Sequence, residues 1–103
     1  MSNHAASAQA LAALGHDARL HIFRYLVKAG KTGATVGQIG GHLGIPASTL
    51  AHHLRSLVTA GLLVQERQGR EVVTRVDFER MTGLIDFLTA ECCTGIAQRQ
   101  DVA

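Results

Sequence analysis

A chain of 103 residues with 47% apolar and 17% charged side chains makes one globular domain, too short for two cores and too apolar for disorder. Its opening, MSNHAASAQALAALG, has neither a basic head nor a continuous aliphatic run, so it reads as neither a signal peptide nor a membrane span. The net charge of +2 hides a split: residues 19–75 hold eight Lys/Arg against two Glu, and residues 76–103 hold two Arg against five acids, a basic middle suited to phosphates.

Residues 5–14 are alanine-rich and helix-favouring, and Gly15 closes them. From Asp17, HDARLHIFRYLVKAG sets Leu20, Phe23 and Val27 on one face with Ile22 and Leu26 beside them, a helical period ended by Gly30. Thr35 is placed to cap a short helix with Val36, Ile39 and Leu43 inward, and Gly44 suits the left-handed position just past it. Pro46 opens a second helix whose stripe is Leu50, Leu54, Leu57 and Val58, stopped by Gly61. LLVQER and EVVTRV flank QGR and read as a hairpin with Gly69 in its turn. The last segment, FERMTGLIDFLTAECC, repeats Met81, Leu84, Ile85, Leu88 and Cys92 at helical spacing, with Gly95 ending it. The predicted fold is mainly α with a small β-hairpin, in the order α-α-α-α-β-β-α.

A short helix, a Gly-containing turn and a second helix with a polar outer face make a helix-turn-helix, and the basic-tipped hairpin that follows makes it winged. The helix-turn-helix spans about 35–60 and the wing about 62–76 of a single domain, 1–103. Three stretches, LGHDARLHIFRYL, TVGQIGGHLGIPASTLAHHLRSLVTAGLLVQERQGREV and the closing FLTAECC, resemble the ArsR/SmtB metalloregulatory repressors over nearly the whole chain. The resemblance implies a cytoplasmic homodimer that represses an operator and lets go when a metal or metalloid binds. The first and last helices, which need not touch DNA, are the expected dimer interface.

The residues support DNA contact independently. With Leu50, Leu54 and Leu57 inward, Ser48, His52, Arg55 and Thr59 point directly away, flanked by Thr49 and Ser56. Hydroxyls, imidazole and guanidinium in that row suit phosphates and major-groove base edges. Ser48 and Thr49 also sit in the first turn, where free N–H groups favour a phosphate. Arg67 and Arg70 bracket the hairpin tip, where Arg can follow the backbone or enter a minor groove. His53 lies toward the apolar edge and reads as a packed structural histidine. The His52–His53 pair diverges by about 100° and makes a poor chelate, and neither His21 nor His42 has a partner at ligand spacing.

Two adjacent thiols, Cys92 and Cys93, are the chain's only cysteines. They cannot staple distant segments, which fits a reducing cytosol. VGQIGGHLG carries none of the cysteines of one sensor branch, and the last helix lacks the histidine that a zinc-sensing branch uses. The match is to an arsenic-responsive branch with a vicinal pair in its last helix. Soft thiolates select thiophilic trivalent arsenic, with antimony a relative, and two of a tetrahedral zinc's four ligands are missing. The expected inducer is arsenite or methylarsenite, with no catalytic cofactor. Two alternatives stand beside this: a thiol redox sensor of the same fold, and an enzyme resembling arsenate reductases or phosphatases through CTGIAQR, Cys93–Arg99. The enzyme reading lacks the strand before its cysteine and the helix after its arginine.

Overall fold

The structure, a computed structural model, describes residues 3–96. Five helices and a three-stranded antiparallel sheet form the winged helix-turn-helix: α1 (His4–Leu14), α2 (Asp17–Ala29), a 3₁₀ turn (Gly30–Thr32), β1 (Ala34–Thr35), α3 (Val36–Leu43), α4 (Ala47–Thr59), β2 (Leu63–Gln68), β3 (Glu71–Val76) and α5 (Phe78–Thr89).

Local chemistry fixes the helix starts. The Asn3 side chain accepts from Ala6 N–H at 2.8 Å, and that of Asp77 from Arg80 N–H at 3.1 Å. Thr35 and Gln38 form a reciprocal capping box, 3.1 and 2.8 Å, at the head of α3. Gly44 takes φ +68, the left-handed conformation that ends α3 and turns the chain into α4.

The core lies where α2, α3 and α4 meet the sheet. Ile22, Leu26, Ile39, Leu50, Leu57, Leu62 and Leu63 are essentially inaccessible. Each side chain of this kind contributes about 1.5–3 kcal/mol by leaving water. Ser7, Ala10 and Ala13 are buried on α1, so small residues let that helix approach its neighbours closely.

Three features differ from the sequence reading. Beside the hairpin stands a third strand, β1, whose Ala34 and Thr35 pair with Thr74 and Val73 of β3 in the order β1-β3-β2. Two residues carry too little pattern to announce a strand. On α2 the buried residues are Ile22, Phe23 and Leu26, while Leu20 and Val27 of the expected stripe are exposed. Most consequentially, α5 ends at Thr89, so Cys92 is not on its apolar stripe. The Thr89 hydroxyl donates to the carbonyls of Ile85 and Asp86 at 2.9 and 3.4 Å, competing for acceptors of the last turn. Beyond it residues 90–96 are all exposed, with no packing to extend a helix.

The third strand imposes a condition at Gly33. Its φ is +71, and a Cβ there would lie 2.5 Å from the Thr74 carbonyl oxygen. Gly30 has a similar φ of +73 but open space around it. Gly30, at φ +73 and ψ −155, lies in a region that is essentially glycine's alone, so Gly30→Ala should cost only that backbone penalty, on the order of 1–3 kcal/mol. Gly33→Ala should cost at least about 1 kcal/mol more, because β1 must also move off β3. Denaturant melts of the two variants check this, and equal losses would contradict the close-approach argument.

Candidate nucleic-acid interface and thiol pair

Burial of Leu50, Leu54 and Leu57 turns the opposite face of α4 outward, and Ser48, Thr49, His52, Arg55 and Thr59 are all exposed on it. Ser56 is half-buried, and its hydroxyl donates back to the His52 carbonyl at 3.2 Å. No side chain caps the start of α4, which leaves first-turn N–H groups open beside Ser48 and Thr49. Hydrogen-bond donors thus line the face from its N-terminal end to Arg55.

The wing is a two-residue hairpin. Gln68 pairs with Glu71, and Gly69 (φ +65) is the first of the two turn residues, the pattern of a type II′ turn. Arg67 and Arg70 are exposed at its tip; Arg67 Nη1 makes a long contact of 3.5 Å to the Gly69 carbonyl. Arg75, lower in the wing, is committed elsewhere. It donates to Glu66 Oε1 at 2.6 Å, and that guanidinium holds the Glu66 carboxyl below its usual range, first by the hydrogen bond and then by charge. Among the described residues Arg67 and Arg70 have no acidic partner. The wing's free positive charge therefore sits at its tip.

His53 occupies the inner edge of α4 at 6% exposure. Its Nδ1 accepts from Arg19 Nε at 3.2 Å, which requires a neutral imidazole, and the His16 ring lies 4.8 Å away. Burial first, then the charges of His16, Arg19 and His52, lower its pKa below the ordinary 6.5. His52 and His53 thus divide by environment, one open to solvent and one locked to α2.

Cys92 and Cys93 stand in the turn after α5, both exposed, with their Sγ atoms 3.1 Å apart. Cys92 N–H donates to the Thr89 carbonyl at 2.9 Å, and Thr94 closes on the Glu91 carbonyl through its N–H and hydroxyl at 3.2 and 3.0 Å. Glu91 and Cys93 hold left-handed backbones, φ +60 and +66, uncommon for residues with a Cβ. The shared hydrogen bond with Cys93, and after it a slight loss of hydration, raises the Cys92 thiol pKa. Among the described residues no group of three or more His, Cys, Asp or Glu could hold a metal ion. CTGIAQR leaves the described residues after Ile96, and its cysteine follows a helix and a turn.

Sequence spacing left His21 and His42 without a role. The structure brings both to one cleft with Arg24 and Lys28, a convergence of two helices that no linear motif announces.

A helix-turn-helix domain family model matches residues 14–66, just over half of the chain. The chain belongs to this helix-turn-helix family. Its winged helix-turn-helix fold is the one found in ArsR-like transcriptional regulators. An ArsR-like transcriptional regulator from Rhodococcus sp. RHA1 superimposes with a TM-score of 0.72 at 25% identity, over 82% of this chain and 76% of that one. A protein described as a possible transcriptional regulator for arsenical resistance shares the fold at TM-score 0.69 and 23% identity, over 80% and 82% of the two chains. The homodimeric winged helix-turn-helix domain of Mb0332 from Mycobacterium bovis, a possible ArsR-family regulator, gives 0.66 and 25%, over 84% and 80%. No curated protein sequence matches the chain. No helix among the described residues is long and apolar enough to cross a membrane.

His53 ties acid stability to the packing of α4 on α2. The folded protein disfavours its protonation, whereas the unfolded chain takes up the proton near 6.5. Stability from this group is therefore complete above that pH and is lost progressively as pH falls below it. Thermal melts from pH 8 to 5 should show Tm falling below about 6.5, with a shallower fall in His53→Gln. Identical slopes would assign the acid sensitivity to other groups.

Proposed function

We propose that the chain is a homodimeric repressor that holds an inverted-repeat operator through α4 and the wing and releases it when a trivalent arsenical bonds Cys92 and Cys93. The observation that carries the sensing half is the pair of exposed sulfurs 3.1 Å apart. An ion that bonds sulfur at about 2.3 Å can bridge any two sulfurs closer than about 4.6 Å, so the pair is already within chelating reach. The reading half rests on the open donor row of α4 and the unpaired arginines at the wing tip.

Ser48, Thr49, His52, Arg55 and Ser56 meet the major groove, the last through the small movement that frees its hydroxyl from the His52 carbonyl. Arg67 and Arg70 take the adjoining backbone or minor groove. Dimerisation uses α1 and α5, where Leu11, Ile85 and Leu88 are 41%, 49% and 56% exposed. His4 packs edge-on against Phe87 at 5.9 Å, so these two helices present one surface. The homodimeric state of the Mb0332 domain supports dimerisation. Two readers then sit about 34–36 Å apart, one helical turn of DNA.

Chelation balances as follows. Each thiol gives up its proton as an As–S bond forms, and an arsenic-bound hydroxyl leaves with that proton as water. Two such steps satisfy methylarsenite, whose third valence is already on carbon. Arsenite keeps one hydroxyl or takes a third thiolate from a small thiol or the partner subunit. Zinc, short of two ligands, does not substitute. Oxidant sensing needs a ready thiolate, which the hydrogen bond to Cys93 disfavours at Cys92, whereas arsenic displaces the proton itself. The protein described as a possible arsenical-resistance regulator adds support. An enzymatic role for CTGIAQR has little: the related proteins are transcriptional regulators, and Cys93 follows no strand.

Fluorescence anisotropy of a labelled operator tests both halves. Arsenite and methylarsenite should weaken wild-type binding by a factor of roughly 5–150, methylarsenite at least as strongly, and operator should weaken arsenical binding reciprocally. Cys92→Ser and Cys93→Ser should each abolish release while binding DNA normally. Full release in both would remove the thiols from the mechanism. His52→Ala should relax preference at one base position at a cost of about 1–3 kcal/mol, and Arg70→Ala should weaken all sequences and flatten the salt dependence. Loss of operator preference in His53→Ala with stability unchanged would overturn the assigned orientation of α4.

A further inference from the structure

Helices α2 and α3 enclose a cleft of about 240 Å³ lined by His21, Arg24, Tyr25, Lys28, His42 and Leu43. His21, Arg24 and Lys28 recur at helical spacing on one face of α2 and are exposed. His42 arrives from α3, and its ring stacks on Tyr25 at 4.6 Å with 26° between the planes. The stack braces one wall of the cleft across the two helices. No carboxylate lines the space. Asp17, the nearest acid on α2, contacts His21 at 3.6 Å, and among the described residues neither Arg24 nor Lys28 has an ion-pair partner. Converging cations with no internal counter-charge repel one another, and a bound anion offsets that cost. The donors are a guanidinium, an ammonium and two imidazoles, each of which offers an N–H in either protonation state.

We propose that this cleft binds phosphate, and that the phosphate its position favours belongs to the DNA backbone beside the half-site read by α4. The source rests on the DNA-binding reading above; the phosphate chemistry does not. Leu43 lines the cleft and directly precedes Gly44 of the helix-turn-helix turn, and Ser48 of the reading face follows five residues later. That length of chain reaches at most about 18 Å, so the cleft borders the point where the reading helix begins. The cleft is separate from the donor row of α4 and from the wing tip, and it adds a third point of attachment that fixes the angle of α4 on the duplex.

The test uses the double variant Arg24→Gln/Lys28→Gln, which keeps both side-chain stems and sheds both charges. Operator affinity is measured against salt for wild type and variant, and inorganic phosphate is titrated into each free protein while the Tyr25 and His42 ring signals are followed by NMR. The expected result is a salt slope shallower by about 0.9 for each subunit's lost phosphate contact, with affinity reduced alike on operator and unrelated duplex and base preference retained. An unchanged slope, together with phosphate-induced ring shifts present in wild type and absent from the variant, keeps the phosphate site and moves its source to a free phosphorylated compound. An unchanged slope with no ring shifts in wild type overturns the proposal. If wild type shows no operator preference at all, the reading of α4 fails, while the phosphate titration still decides the cleft.

Discussion

The burial of Leu50, Leu54 and Leu57 against α2 and the sheet is the constraint on which the rest depends. Three leucines on one stripe cost several kcal/mol to expose, far more than any surface contact of α4 can return. The rotation of α4 about its axis is therefore set by the core. Its outward row follows from that rotation, and Arg19 bonded to His53 adds a polar pin on the inner edge. A reading surface needs this rigidity, because hydrogen bonds to base edges discriminate only when the side chains arrive in a fixed register.

The terminal helices follow a different logic. Leu11, Ile85 and Leu88 stay open although shorter side chains beside them, Ala10 and Ala13, are buried. Large apolar side chains left in water on two packed helices are what an isologous contact between two copies would cover.

Much of this was legible in the sequence because periodicity and capping chemistry are local. The Leu50–Leu54–Leu57 stripe, the Thr35 cap, Gly44 and the hairpin around Gly69 each announce themselves within a few residues. What was hidden depends on partners remote in sequence. β1 exists because Gly33 allows a two-residue stretch to lie against β3. The end of α5 escaped because Met81 to Cys92 continues a helical pattern that neither the hydroxyl of Thr89 nor the lack of packing beyond it supports. The basic cleft escaped because His42 meets the α2 residues only through tertiary packing. On the proposed sites, the sequence placed the thiols side by side but on the wrong element, and it placed the α4 row on an outer face.

That change of element alters how the proposed sensor must work. Thiols on a continuous helix would diverge by about 100°, and chelation would have to unwind the last turn before both could bond one atom. In the turn after Thr89, with Glu91 and Cys93 left-handed, the sulfurs already lie 3.1 Å apart. Little of the binding energy is then consumed in bringing them together, and more is left to move what the turn is attached to. The turn is attached to α5, α5 packs on α1, and α1 packs in turn on α4. Under the proposed mechanism α1 is the element touched by both the sensing and the reading ends, and its small buried residues let it shift without opening a large cavity. A displacement there also re-aims one subunit against the other, since α1 and α5 carry the open apolar face. Two half-site readers that must both fit one duplex amplify a small change of that kind, because neither can adjust alone.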